Sequence, residues 1–133
     1  MAHIRVRDAA RFLGVSDDTV RRWIDNGTLT DLKDDAGRRV VDGLELATLA
    51  RSQSHLADPT NTAASSARNH FPGLITRIVS DQVMSQVELQ CGPFRVVSLM
   101  STEAVTDLGL NPGDIATAVI KATNVIVTTS GLD

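Results

Sequence analysis

Between residues 53 and 66 the chain reads QSHLADPTNTAASS, a stretch of Ser, Thr and Ala around one Pro with no apolar periodicity. The hydrophobic pattern differs on its two sides: apolar residues recur at helical spacing before it and alternate after it. A sequence that changes period across such a stretch does not fold around one continuous core. We therefore read 1–52 and 67–133 as two domains joined by a linker at 53–66. The 133 residues suffice for both, because about 50 residues can already close a small core. With three Phe, one Trp and no Tyr, those cores have to be built from Val, Ile, Leu and Ala.

The single cysteine, Cys91, has no partner for an internal disulfide, which points to a reducing compartment. No apolar run approaches the roughly 20 residues that span a bilayer, and Arg5, Asp8 and Arg11 stand where a signal peptide would be apolar. The expectation is a cytoplasmic protein that makes no membrane contact. Residues 1–51 hold nine of the 13 Lys and Arg and nine of the 16 Asp and Glu, leaving four and seven beyond. The basic groups are thus concentrated in the first third, in a segment of no net charge.

That segment reads as short helices. Ala9, Ala10 and Leu13 share a helical face, Gly14 ends the helix, and Ser16 is placed to cap a second one whose apolar members are Val20, Trp23 and Ile24. Gly27 stops the second helix. TLTDLKDDAGRRVV then predicts a hairpin between Thr28 and Val41 that turns at Asp-Ala-Gly-Arg, and DGLELATLA predicts a third amphipathic helix. At 100° per residue, Val20, Trp23 and Ile24 cluster on one side of the second helix, leaving Arg22 nearly opposite and Thr19 and Arg21 on its flanks.

DAARFLGVSDDTVRRWIDNGTLTDLKDDAGRRVVDGLELATL resembles the excisionase and MerR-like winged helix-turn-helix domains over roughly the first 50 residues. The resemblance implies that the second helix enters the major groove of double-stranded DNA while the wing grips the neighbouring backbone. Thr19, Arg21, Arg22, Arg38 and Arg39 inherit those roles. An outward arginine can bond phosphate oxygens or pair bidentately with a guanine edge. The plainer alternative makes Asp18 with Arg22, and Arg21 with Asp25, i,i+4 ion pairs on a solvated helix. A neutral segment neutralises few phosphates per chain, so DNA binding calls for a dimer or larger assembly.

Beyond residue 66 the period is two. GLITRIVS, VMSQVELQ, FRVVSLM, IATAVIKA and NVIVTT read as strands, with Val83, Val87 and Leu89 on one face of the second against Met84, Gln86 and Glu88. STEAVTDLGL predicts one short helix capped by Ser101 or Thr102, followed by an Asn-Pro-Gly-Asp turn. The fold class expected for the whole chain is α+β: a winged helix-turn-helix followed by a five-stranded OB-like β-barrel with one short helix.

SARN at Ser66 to Asn69, FPGLITRI after it, LGLNPGD at 108–114 and VIKATNVIV at 119–127 resemble the Mop domain, the molbindin or TOBE-type molybdate-binding module. The resemblance places Ser66, Arg68, Ser101, Lys121 and Thr123 around a molybdate or tungstate oxyanion at interfaces between subunits of a homo-oligomer, a dimer or a hexamer. Ser101 stands where the family usually has Thr and keeps a hydroxyl; Ala104 replaces a frequent Ser. The donor set suits the ligand, because a tetrahedral dianion offers four acceptor oxygens and no donor. Such a set disfavours phosphate, whose monoprotonated form carries an O–H that finds no acceptor.

Lys121 shares a strand face with Ile115, Thr117 and Val119, where a lone lysine needs a partner: an anion, Glu88 or a C-terminus. Asn69 reads as structural, its side chain bonding nearby backbone, and Gly73, Gly109 and Gly113 as turn or close-packing positions. Cys91, beside Gly92 and Pro93, reads as a small residue at a turn. His3, His55 and His70 have no metal-ligand spacing and no phosphate loop is present, so no enzyme is expected. The reading is a molybdate- or tungstate-responsive transcription regulator. The alternatives are an oxyanion store without gene control, and a DNA-architectural protein whose barrel only oligomerises.

Overall fold

The computed structural model describes residues 2–53 and 66–129. The chain divides into two compact units, Met1–Leu56 and Ala57–Asp133. Most of the linker assigned to 53–66 lies outside the described residues.

The first unit runs β1 (His3–Arg5), α1 (Val6–Leu13), α2 (Asp17–Asp25), β2 (Leu32–Lys33), β3 (Arg39–Asp42) and α3 (Gly43–Gln53). Its helix ends follow local chemistry. Gly14 adopts φ 67°, where an L side chain is strained, and its N–H closes the C-terminus of α1 on Arg11 O at 3.3 Å. Two residues later Ser16 Oγ accepts the Thr19 N–H at 3.1 Å and starts α2. Ala9 and Ala10 are fully buried, and their small size lets α1 approach a core of Val6, Val20, Ile24, Leu29, Val41 and Leu46.

β2 and β3 form the expected hairpin. Its loop is tied by Asp34, whose Oδ1 accepts the backbone N–H groups of Ala36 at 3.0 Å and Arg38 at 2.9 Å. The sequence reading missed β1, which pairs antiparallel with β3 through His3 and Asp42, Ile4 and Val41, and Arg5 and Val40. Three residues are too few to show a period, and the partner lies far along the chain.

The second unit runs β4 (Asn69–Ser80), β5 (Met84–Cys91), β6 (Phe94–Ser101), α4 (Thr102–Leu108) and β7 (Ile115–Ile120), closing with a 3₁₀ turn at Ala122–Asn124. The sheet order is β6-β5-β4-β7, antiparallel throughout. Among the described residues this unit has four strands where five were expected. NVIVTT begins in the 3₁₀ turn and makes no strand, leaving Ile126 and Val127 exposed. Its β propensity is real, but β propensity becomes a strand only where a neighbouring strand is available to pair.

The inner face buries Ile75, Val87, Leu89 and Cys91, covered by Val105 of α4, by Leu110, and by Ala116 and Ala118 of β7. Ser85 lies on this face too. Its hydroxyl is satisfied within a chain that runs from Ser80 Oγ at 2.7 Å to Thr102 Oγ1 at 2.8 Å and ends on Asp81 O at 2.8 Å. Val83 sits in the turn before β5 and is exposed, so the apolar face assigned to that strand begins at Ser85 instead.

Ser101 Oγ accepts the Ala104 N–H at 3.0 Å and caps α4, and Gly109 at φ 64° ends it. The turn that follows is stitched to β4 by Ile75 N–H to Asp114 O at 2.9 Å and Gly113 N–H to Ile75 O at 2.8 Å. Asn69 donates its Nδ2–H to Ile120 O at 3.1 Å, the structural role read for it.

The outer face of the sheet is apolar and open, with Ile115 84 % and Leu99 70 % exposed beside Leu74, Val79, Val97 and Val119. Glu88 lies on the same face yet is buried. Arg95 on β6 donates to Glu88 Oε1, and Gln86 Nε2–H reaches the same oxygen at 3.0 Å. The hydrogen bond from Arg95 holds the Glu88 carboxyl below its ordinary value of 4.5 against the opposing effect of desolvation.

Two outcomes follow from this packing. A Cβ on Gly73 would lie 2.6 Å from Cys91 Sγ and 2.8 Å from Gln90 O, so Gly73→Ala is expected to lower the urea unfolding free energy of this unit by about 1–3 kcal/mol. Because the native pKa of Glu88 is depressed, its contribution to stability is complete above 4.5 and is lost as pH falls through the lower native value. In Arg95→Met the Glu88 carboxyl is expected to titrate higher by carbon-detected NMR, and acid unfolding to begin at higher pH.

Candidate functional site

In the first unit, burial of Val20 and Ile24 turns the opposite side of α2 to solvent. Arg22 is exposed there and has no carboxylate partner among the described residues; its Nη2–H reaches Thr19 Oγ1, at 3.4 Å. The other three arginines expected at this surface are engaged. Arg21 Nη1 lies 3.1 Å from Asp18 Oδ1, and Arg38 Nε lies 3.0 Å from Asp34 Oδ2. Arg39 Nη2 lies 2.8 Å from Asp25 Oδ1, and its Nε lies 3.5 Å from Asp31.

The pairs of the plainer alternative, Asp18 with Arg22 and Arg21 with Asp25, do not form. Arg21 bends back toward the start of α2, and the hairpin supplies Arg39 to Asp25 instead. Arg39 therefore fixes the wing against the end of α2, and its guanidinium is held above its ordinary value chiefly by the hydrogen bond to Asp25. Asp34 is held below the ordinary carboxylate value, first by the Arg38 backbone N–H and then, against desolvation, by the Arg38 guanidinium. This surface presents one free arginine on a helix of groove-filling width and a braced wing beside it.

In the second unit, Asn69 pairs with Ile120, so Arg68 and Lys121 both fall just beyond that last pair of the β4–β7 ladder. Both are exposed and neither has an ion-pair partner among the described residues. Glu88, one of the partners considered for Lys121, is taken by Arg95. Ser66 and Thr123 are exposed at the same end, Thr123 within the 3₁₀ turn that follows Lys121. Two cations with no acidic partner among the described residues, beside two hydroxyls, make a donor-rich patch that suits a tetrahedral oxyanion.

Ser101 is not brought to this patch. Ser80 pairs with Ser85 at the far end of β4, and Met84 pairs with Ser101 beyond it. At about 3.3 Å per residue, the length of β4 puts the two ends on the order of 35 Å apart along the strand. The hydroxyl of Ser101 accepts from Ala104 as a helix cap and keeps its own O–H for another acceptor. Among the described residues no group of three His, Cys, Asp or Glu side chains is arranged to hold a metal ion. Among the described residues no helix is long and apolar enough to cross a membrane.

Comparison with known proteins matches each unit separately. The helix-turn-helix domain family matches residues 4–54, and the TOBE domain family matches residues 65–127. Molybdenum-pterin-binding protein 3 of Clostridium pasteurianum is 36 % identical over 63 residues, which is 47 % of this chain and 93 % of that protein. Among solved structures, a molybdate binding protein from Sporomusa ovata is 32 % identical, covering 49 % of this chain and 97 % of its own, with a TM-score of 0.48. The cytoplasmic molybdate-binding protein ModG, with molybdate bound, is 39 % identical over 53 % of this chain and 50 % of its own, with a TM-score of 0.47. The chain belongs to the TOBE-domain family of the molybdenum-pterin-binding proteins and carries a helix-turn-helix domain ahead of that module.

Proposed function

We propose that this chain is a cytoplasmic transcription regulator that senses molybdate or tungstate through its TOBE domain and binds double-stranded DNA through its helix-turn-helix domain. The carrying observation is the pair Arg68 and Lys121, set at one end of the β4–β7 ladder with no acidic partner among the described residues. Ser66 and Thr123 add hydroxyl donors beside them, and Ser101 supplies its O–H from a second copy of the chain. The open apolar outer face, with Ile115 and Leu99 almost uncovered, supports a homo-oligomer, a dimer or a hexamer, in which that face is shared.

The anion then acts as a bridge. It neutralises Arg68 and Lys121 on one copy while accepting from Ser101 of another, so the assembly that closes the site is favoured when the anion is present. Regulation follows only if that assembly also spaces the helix-turn-helix domains for DNA, because an anion that bound every arrangement equally would shift nothing. A store of oxyanion is disfavoured by the exposed Arg22 on α2, which has no carboxylate partner among the described residues and no use in a protein that only holds anions.

Calorimetric titration of the full chain is expected to give tight binding of molybdate and tungstate and none of phosphate. Arg68→Ala/Lys121→Ala should weaken molybdate by at least about a hundredfold, since a charge-assisted hydrogen bond contributes about 1.5–3 kcal/mol. Heat at dilution level for all the anions would remove both the sensor and the store. Anisotropy of a labelled duplex, with and without molybdate, separates them: a regulator changes its DNA affinity with the anion and a store does not.

A further inference from the structure

The first unit contains an arginine recess that reaches beyond the DNA contacts considered so far. Arg5 and Arg7, from the junction of β1 and α1, converge with Arg21 of α2 and with Arg38 and Arg39 of the hairpin around a recess of about 240 Å³, where Asp17 is the one acidic lining residue. Ile4 packs on the core and Val6 is buried; Arg5, the last residue of β1, and Arg7, in the first turn of α1, flank Val6 and are exposed.

The charges in the recess are unequal. Arg21, Arg38 and Arg39 are each held by aspartates, at 3.1, 3.0 and 2.8 Å, whereas Arg5 and Arg7 have no carboxylate partner among the described residues. Asp17, Asp18, Asp25, Asp31 and Asp34 lie against Arg21, Arg38 and Arg39, so within the recess it is Arg5 and Arg7 whose charge is left uncompensated among the described residues. Like charges drawn together on rigid elements repel each other unless an anion lies between them.

We propose that this recess takes a backbone phosphodiester of duplex DNA, with Arg5 and Arg7 as its direct donors and Arg21, Arg38 and Arg39 as the braced wall. The inference rests on the DNA-binding reading and deepens it, adding two residues that grip the duplex without reading its sequence. The chemistry recognised is a tetrahedral oxyanion, which a DNA phosphate and a free anion both present; the position between α2 and the wing favours the duplex.

The test is a salt titration of a labelled mixed-sequence duplex binding to the full-length protein and to Arg5→Gln/Arg7→Gln, with thermal melting to establish that the variant is folded. Both side chains are exposed and unpaired, so the melting midpoint should not move. The variant should bind about tenfold to a hundredfold more weakly, as expected for lost charge-assisted bonds. Its plot of log affinity against log salt should be shallower by about 1 to 2. Equal affinity and equal slope in the two proteins would overturn the recess and leave the DNA reading standing. A wild-type protein that binds no duplex at low salt would overturn both. A parallel molybdate titration separates the sources: an unchanged number of molybdate sites in the variant is expected, and loss of a site would assign the recess to free oxyanion instead.

Discussion

β4 is longer than either strand it pairs with, and this sets the geometry of the second unit. Its first half, from Asn69 to Leu74, carries β7, and its second half, from Leu74 to Ser80, carries β5. A bulge between Ile75 and Arg77 lies near the handover, and Gly73 lets β5 approach closely where the two ladders overlap. The outcome is a sheet whose ends are chemically different. One end gathers Arg68, Lys121, Ser66 and Thr123, and the other carries Ser101 at the cap of α4. On the proposed reading these are two halves of one oxyanion site, which a second copy of the chain would close.

The first unit solves a different problem, presenting positive charge from a segment with no net charge. It does so by pairing. Asp18, Asp34 and Asp25 each take an arginine, which stiffens α2 and the wing and leaves Arg22, Arg5 and Arg7 uncompensated. Exposed pairs of this kind contribute little to stability. Their value here is positional, since a braced wing keeps its place relative to the helix it flanks.

Features fixed by neighbouring residues were legible in the sequence. Gly14, Ser16 and Ser101 were readable as caps because capping is a contact within a few residues, and the alternation of β4 to β7 survived because both faces of a strand are written locally. Features that depend on distant partners were not legible. β1 needs β3, the burial of Glu88 needs Arg95 across the strand pair, and the partner of Asp25 is Arg39 of the hairpin, not a residue of its own helix. Val125 to Val127 read as a strand on propensity, although no described strand lies beside them to pair with. Four of the five oxyanion candidates cluster at one end of the sheet; the position of Ser101 became visible only once the register was known. Arg5 and Arg7 carried a signal that was available, two basic residues flanking Val6 where the first helix begins.

The claim on which the account turns is that the oxyanion site draws its two halves from different chains. Its most direct test is complementation, using Arg68→Ala/Lys121→Ala and Ser101→Asp, the latter keeping the helix cap while placing a carboxylate against the anion. Each variant alone should lose tight molybdate binding. Refolded together from an equal mixture, they should recover about a quarter of the wild-type sites, because random pairing across a symmetric interface joins two intact halves that often. Recovery near that level supports a shared site. No recovery, in mixed assemblies verified by mass spectrometry, would mean that each site is built within a single chain and would contradict the account.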